Sequence, residues 1–203
     1  MVERTFDEAL NIHTIGVREW RGKEEEQYNR YEATPYEALE MFFNQYELKQ
    51  TDTLVDFGAG EGRVSFYVHN RFNIPVKGIE NNDKTFEEAL RNQKSYQYRA
   101  IEKDAPIYFE FGLAELYEVQ PTDNRFFLFN PFSVSIFKQV IANITISLKE
   151  HPRMAEVILY YPLPAFKRVM KHTPFQKIKK IKVPKIHGKY GKFIIYRFTP
   201  ESL

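Results

Sequence analysis

Three short stretches of this chain carry side chains and backbone that could do chemistry together. The first is Asp56-Phe57-Gly58-Ala59-Gly60-Glu61-Gly62-Arg63. Its glycines at alternate positions let the main chain turn tightly and let a ligand lie on bare backbone, with no Cβ in the way. Asp56 stands just before that loop, where a carboxylate can hold loop amides or reach a ligand amine. The second is Glu80, about 20 residues on, where an acid at a strand end accepts hydrogen bonds from ribose hydroxyls. A turn before the Asn81-Asn82-Asp83 helix cap explains Glu80 as well. The third is Asn130-Pro131-Phe132. There an amide oxygen can accept from an acceptor's NH₂, and a ring can stack on a flat substrate. Turn formation by Asn130, a helix start at Pro131 and core packing of Phe132 account for the same residues.

The glycine spacing discriminates between ligands. A dinucleotide fingerprint places its third glycine five positions after the first. Here the glycines are 58, 60 and 62, and Arg63 takes the fifth position. The acid before the loop also repels a phosphate, and no Gly-Lys-Ser/Thr of a phosphate-binding loop is present.

The surrounding pattern supplies elements to position these stretches. Short apolar runs at Thr53–Phe57, Val76–Ile79, Ile107–Phe111, Arg125–Phe129 and Glu156–Tyr161 read as strands. Helical patterns at Val64–Asn70, Asp83–Asn92, Val134–Leu148 and Pro164–Lys171 fall between or after them. Lys177–Val183 and Lys192–Phe198 read as two closing strands. Their link, 184–191, is too short for a helical crossover, so they form an antiparallel hairpin. Upstream, Thr34-Pro35 with Glu37 three positions on makes a capping-box start for a helix carrying Tyr36, Leu39, Phe42, Phe43 and Tyr46. The pattern predicts an α/β, Rossmann-like, doubly wound seven-stranded sheet, mostly parallel, with a C-terminal antiparallel β-hairpin. Ligands in such sheets bind at the C-terminal strand ends. Residues 1–30, with apolar positions at Phe6, Leu10, Ile12, Ile15, Val17 and Trp20, read as an N-terminal extension or lid. Residues 31–203 read as one domain.

Segment 53–92 resembles the cofactor half of the class I S-adenosylmethionine-dependent methyltransferases. Val-Asp-Phe-Gly-Ala-Gly-Glu-Gly-Arg is similar to the first motif of that superfamily, and Gly-Ile-Glu-Asn to its second. Arg63 and the Tyr31-Glu32-Ala33-Thr34-Pro35 segment are similar to a subgroup of small bacterial members. The resemblance implies S-adenosyl-L-methionine as cofactor. Backbone at Gly58, Ala59, Gly60 and Gly62 would lie under its methionine moiety, with Asp56 near the ammonium. Glu80 would take the ribose hydroxyls and Asn81 would flank the adenine. Leu113, Ala114 and Glu115 would face the adenine edge, with Leu where many relatives have an acid. Tyr31 and Thr34 would fold over the methionine carboxylate; helix capping explains Thr34 equally well. Asn130-Pro131-Phe132 resembles the Asn-Pro-Pro-Tyr/Phe motif of adenine and amide-nitrogen methyltransferases, with one proline fewer. On that resemblance Asn130, Pro131 and Phe132 are the candidate catalytic residues, and Asn130 also borders the cofactor.

Composition bounds the partners. The 203 residues suit one domain with a core of its own, and 16% of them are aromatic. There is no cysteine, so disulfides, thiolate metal sites and a cysteine nucleophile are excluded. His13, His69, His151, His172 and His187 show no metal-ligand spacing, and no metal is expected. The first residues lack the basic start and apolar run of a secretory signal, and no apolar run reaches the roughly 18 residues of a membrane span. A cytoplasmic location is the expectation. Residues 162–200 hold eleven of the 29 Lys and Arg and none of the 27 Asp and Glu. The basic 167–197 region suits a polyanion, which favours RNA or DNA slightly over a small-molecule or protein acceptor. Lysines that discourage edge-strand aggregation explain it too. Two functions stand at this point: methyl transfer to an acceptor, or a non-catalytic S-adenosylmethionine-binding module acting as sensor or partner protein.

Overall fold

The computed structural model describes residues 2–18, 27–29, 31–100, 102–183, 188 and 191–202. Helix α1 (Val2–Leu10) opens the chain, and strands β1 (Val17–Arg18) and β2 (Tyr31–Glu32) pair antiparallel. Trp20 lies outside the described residues. Then follow α2 (Tyr36–Phe43), β3 (Leu54–Phe57), α3 (Arg63–Phe72), β4 (Val76–Glu80), α4 (Asp83–Arg99) and β5 (Ile107–Phe111). The second half runs β6 (Arg125–Phe129), α5 (Val134–Glu150), β7 (Ala155–Tyr160), α6 (Pro164–Met170), β8 (Gln176–Lys182) and β9 (Lys192–Phe198).

The seven strands β3–β9 form one sheet in the order β5-β4-β3-β6-β7-β9-β8. Strands β3 to β7 are parallel; β9 runs antiparallel to both β7 and β8. This is the expected doubly wound sheet with a C-terminal hairpin. The chain steps outward from β3 to β5, then returns to lay β6 on the other side of β3. Crossovers diverge at that switch, and a crevice opens above the C-terminal ends of β3 and β6.

Composition decides which hairpin strand is the edge. β9 is apolar toward both faces and is buried along most of its length, as an interior strand must be. β8, Gln-Lys-Ile-Lys-Lys-Ile-Lys, buries only Ile181 and exposes its lysines, which blunt the open edge. Helices α1–α4 contribute to one core with Leu54, Phe127 and Ile158 of the sheet. Helices α5 and α6 pack with Val55, Phe126 and Leu128 on the other face.

One local expectation is corrected. The Thr34 capping box does not form: Pro35 is the N-cap of α2 and no side chain of that segment caps it. The first free amide, Tyr36 N–H, donates instead to Glu3 Oε1 of α1 at 3.0 Å. Thr34 is buried in the wall of the crevice and its carbonyl accepts from Arg63. The link from β5 to β6 carries no α-helix, only a 3-10 turn at Ala114–Leu116. No helix among the described residues is long and apolar enough to cross a membrane. Most of the β8–β9 turn, 184–187 and 189–190, lies outside the described residues.

Candidate active site

β3 delivers Asp56 and the glycine loop to the crevice. The loop folds back on β4: Gly58 N–H and Ala59 N–H both donate to Ile79 O, at 2.9 and 3.0 Å. Gly58 has φ +73°, and a Cβ there would stand 2.4 Å from Pro131 Cβ. Gly62, the N-cap of α3, has φ +92°, and a Cβ there would meet Phe66 at 2.5 Å and Phe109 at 2.7 Å. At these two positions protein neighbours, rather than a ligand, already require glycine.

β4 delivers Glu80, which is buried at 6% exposure. It is therefore not a solvated turn residue. Oε2 accepts from Gly60 N–H at 2.9 Å, and Oε1 accepts from the amides of Asn81 and Asn82 at 3.0 and 2.8 Å. A carboxylate offers about four acceptor positions, so one, on Oε2, is left for a ligand hydroxyl. Burial raises the Glu80 pKa against the lowering effect of those three amides.

Asp56 is 3% exposed, and Ser65 Oγ donates to its Oδ2 at 2.8 Å. Burial pushes its pKa up to about 7, with Glu80 adding to the rise and Ser65 opposing it. A carboxyl so placed in a pocket wall is suited to a ligand cation.

β6 ends in Asn130, which adopts φ +43°. Its Oδ1 is buried and has no hydrogen-bond partner. The helix that follows is capped by Ser133, which accepts from Ile136 N–H at 3.4 Å, and not by Asn130. Phe132 is 2% exposed and packs in the core under α5.

Thr34, Asp56, Gly58, Ala59, Glu80, Asn81, Ala114, Pro131 and Phe132 line one pocket above the switch point. Gly60 and Gly62 do not line it. Asn130 adjoins it through Phe129 and Pro131. Leu113 is largely exposed, and Glu115 faces Tyr28, whose hydroxyl donates to its carboxylate at 3.4 Å. The backbone of Tyr31 pairs with Arg18; its side chain lies outside the described residues.

Sequence reasoning missed the segment that flanks this pocket. Tyr28 and Asn29 line it, bridged antiparallel onto Phe132. Asn29 N–H donates to Pro131 O at 3.0 Å, Ser133 N–H to Gln27 O at 2.7 Å, and Asn29 Nδ2 to Asn130 O at 2.7 Å. Burial and the Glu115 carboxylate push the Tyr28 pKa up to about 12. A single bridge has no periodicity, so no sequence signal marks it.

Arg63, noted only for following the loop, ties the N-terminal segment to the site. Its guanidinium is 4.5 Å above the Tyr36 ring. It donates to Thr14 Oγ1 at 2.7 Å, to Thr14 O at 2.9 Å and to Thr34 O, and it pairs with Glu3. Asp7, buried beneath, accepts from Thr14 and from Tyr36 Oη at 2.7 Å. Arg63→Met is expected to lower stability by about 3 kcal/mol, because Glu3 and the Thr14 and Thr34 carbonyls lose their charged donor. Thermal melting and early proteolytic cleavage before residue 34 would show it; an unchanged melt and digest would refute the anchoring role.

No family model matches the sequence, and no curated protein matches it. Solved structures do match in fold. An RNA methyltransferase from Salinibacter ruber, in complex with S-adenosyl-L-homocysteine, superposes with TM-score 0.55 at 17% identity, over 82% of this chain and 92% of that one. A precorrin-6y C5,15-methyltransferase from Geobacter metallireducens gives TM-score 0.57 at 18% identity, over 80% and 86%. The fold is that of the class I S-adenosylmethionine-dependent methyltransferases. A geranyl diphosphate C-methyltransferase from Streptomyces coelicolor has it too, with TM-score 0.53 at 11% identity over 80% and 77%. These three methyltransferases act on chemically unlike acceptors, so the shared fold leaves the acceptor open. Among the described residues no group of three or more His, Asp or Glu is arranged to hold a metal ion.

Proposed function

We propose that this chain is an S-adenosylmethionine-dependent methyltransferase. The observation that carries the reading is the buried Asp56 carboxyl in the pocket wall, beside the glycine loop and Glu80. The residues present fit the cofactor. Gly58 and Ala59 of the loop line the pocket, Asp56 matches an α-ammonium, and Glu80 keeps one acceptor position for a ribose hydroxyl. Asn81 and Ala114 would lie along the adenine, with Leu113 outside and Glu115 held to one side by Tyr28. Thr34 would stand near the methionine carboxylate, with Tyr31 beside it in β2. The bound cofactor would supply an electrophilic methyl group on a sulfonium that already leaves readily.

The chain's task is then alignment, which is where most of the rate enhancement of such a reaction comes from. Asn130 presents an unpartnered oxygen to an acceptor's N–H, held in place by the turn that Pro131 and Phe132 complete. A nucleic-acid acceptor, RNA or DNA, is supported by the basic 167–197 region, whose Lys177, Lys180 and Lys182 on β8 are exposed. Their cost in solvation is small and their attraction for a phosphate backbone falls with salt. We assign residues 1–30 the part of a lid, through Tyr28 and Asn29.

Calorimetric titration with S-adenosylmethionine and S-adenosylhomocysteine tests the cofactor claim; no heat from either would sink it. Labelled cofactor incubated with fractionated RNA, DNA, protein and metabolites tests the acceptor. Asn130→Ala should keep the cofactor affinity and lower transfer 100-fold or more. Retained transfer would make Asn130 a turn residue only.

A further inference from the structure

The sheet has two open edges, and they are built differently. β8 carries four lysines, which discourage another strand from adding to it. β5, Ile-Tyr-Phe-Glu-Phe, has neither lysine nor proline, and no strand among the described residues pairs with its outer side. Val76 N–H donates to Pro106 O and Gly112 N–H to Glu80 O, both at 3.0 Å. Along a parallel ladder alternate residues bond the same neighbour. Tyr108 and Glu110 therefore turn their backbone groups to β4, and Ile107, Phe109 and Phe111 turn theirs outward. Ile107 O accepts from Gln93 Nε2 of α4 at 2.7 Å, and a carbonyl has a second lone pair to offer. The side chains along this edge are apolar and in the open: Tyr108 is 41% exposed and Phe111 55%. Such an edge is a template for a further strand.

Helix α4 lies along the same edge and says what that strand is. Phe86 meets Phe111 at 5.4 Å between ring centroids, and Gln93 bonds Ile107. α4 thus runs antiparallel to β5, with Ala89 and Leu90 level with Phe109. Thr85, Ala89, Asn92 and Tyr96 form its buried stripe. Phe86 and Gln93 face β5. At roughly 100° per residue, Glu87, Lys94 and Tyr98 come next around the helix, beyond the strand, and all three are exposed. Glu87 and Lys94 stand two turns apart. Their midpoint falls between Leu90 and Arg91, about one residue or 1.5 Å from the level of Phe109. One charge of each sign, equally spaced about one level, is self-complementary under a two-fold axis.

We infer that β5 is a dimer edge, paired antiparallel with β5 of a second copy of this chain about a two-fold axis at Phe109. Phe109 then pairs with its own counterpart, Ile107 with Phe111, and Tyr108 with Glu110, so no two like charges stand directly opposite. The same axis reverses α4 against its counterpart and brings Glu87 of each copy to Lys94 of the other. Glu87 also pairs with Arg91 of its own helix at 3.3 Å, but that pair is exposed and Arg91 keeps Glu88 at 2.5 Å, so a change of partner costs little. An unlike strand would satisfy the backbone groups; a second copy also answers both charges at their own level. Gly112 and Ala114, which follow β5, line the pocket. In the dimer they stand beside the start of the second copy's β5, so the paired edge borders one end of each pocket. The pairing does not depend on what the pocket binds.

Analytical ultracentrifugation of the full chain tests this. Interfaces of ordinary size bind at micromolar affinity or better, so at about 100 μM the protein should sediment at twice its monomer mass. Glu87→Lys and Lys94→Glu each set like charges against each other on both sides of the axis, and each alone should weaken self-association at least about tenfold. Mixed in equal amounts, the two variants should form a heterodimer with close to wild-type affinity, because every α4 contact across the axis then joins opposite charges. Recovery on mixing shows that neither variant was lost to misfolding. Phe111→Lys gives the strand the protection β8 has, and it should weaken association at least about tenfold with the far-UV circular dichroism of wild type. A wild-type monomer at the stated concentration overturns the inference. So does a dimer that both charge variants leave intact, and so does a dimer lost in each variant and not recovered on mixing.

Discussion

Gly58→Ala should separate the glycine loop from the Asn130 turn and cost the protein both stability and ligand binding. An alanine at φ +73° carries the left-handed penalty of about 1–2 kcal/mol. Its Cβ would also stand 2.4 Å from Pro131 Cβ, closer than carbon atoms approach. Neither side can yield cheaply. Gly58 and Ala59 are bonded to Ile79 O of β4, and Pro131 is held by Asn29 N–H from the flanking segment. Overpacking of this kind costs about 1–3 kcal/mol. Together the two effects come to about 2–5 kcal/mol, and a chain of this size loses roughly 2–4 °C of melting temperature per kcal/mol. A fall of about 5–15 °C is expected in a thermal melt, with cofactor affinity down at least tenfold. A melt within 2 °C of wild type, roughly the 0.5 kcal/mol of an ordinary surface change, would show that the contact relaxes easily. The same contact explains how two motifs far apart in sequence become one site. The glycine loop and the Asn130 turn meet at Gly58 and Pro131.

Much of this arrangement is legible in the sequence because its determinants are local. Ile107–Phe111, Arg125–Phe129 and Lys192–Phe198 are strands with the boundaries their apolar runs suggest. The glycine spacing and the acid before it need no distant partner to be read. The failures occur where the deciding partner is distant. The α2 cap comes from Glu3 and not from Thr34, because α1 packs across the start of α2. Helix α4 continues past Asn92 to Arg99, where Tyr96 finds His69 at 2.7 Å and the ring of Phe66. The polar run Gln93–Arg99 offers no hydrophobic periodicity to announce that. Tyr28 and Asn29 reach the pocket only by bridging onto Pro131 and Phe132. Arg63 was visible as a residue but not as an anchor, since its partners Glu3, Thr14 and Thr34 come from three separate turns of chain. The carboxylate end of the pocket, at Asp56 and Glu80, could thus be read from residue types, and the Tyr28–Asn29 segment that flanks the pocket could not.

The Asp56 carboxyl gives that carboxylate end a pH signature. Its pKa is raised by burial to about 7 in the folded protein, against 3.8 for an exposed aspartate. The folded state therefore holds this proton more tightly than the unfolded chain. Stability from this group is fully present below pH 4, declines as pH rises from about 4 to about 7, and changes no further above that. The decline amounts to roughly 4 kcal/mol at 1.36 kcal/mol per pH unit. Asp56→Asn keeps the shape and an acceptor for Ser65 but carries no charge, so it should stabilise the ligand-free protein at pH 8 and flatten this decline. Ligand binding should respond in the opposite sense. An ammonium needs the ionised carboxylate, so S-adenosylmethionine affinity should rise up to tenfold per pH unit between pH 5.5 and 7. Measurement stays below about pH 7.5, where an α-amino group begins to lose its own proton. In Asp56→Asn the affinity should fall by about 100-fold or more and lose its pH dependence, since a buried charge pair with one partner missing costs about 3–5 kcal/mol. 5′-Methylthioadenosine, which has no ammonium, serves as the control: its affinity should be nearly the same in both proteins and flat with pH. Equal losses for the two ligands would mean that Asp56 shapes the loop and does not meet the ammonium.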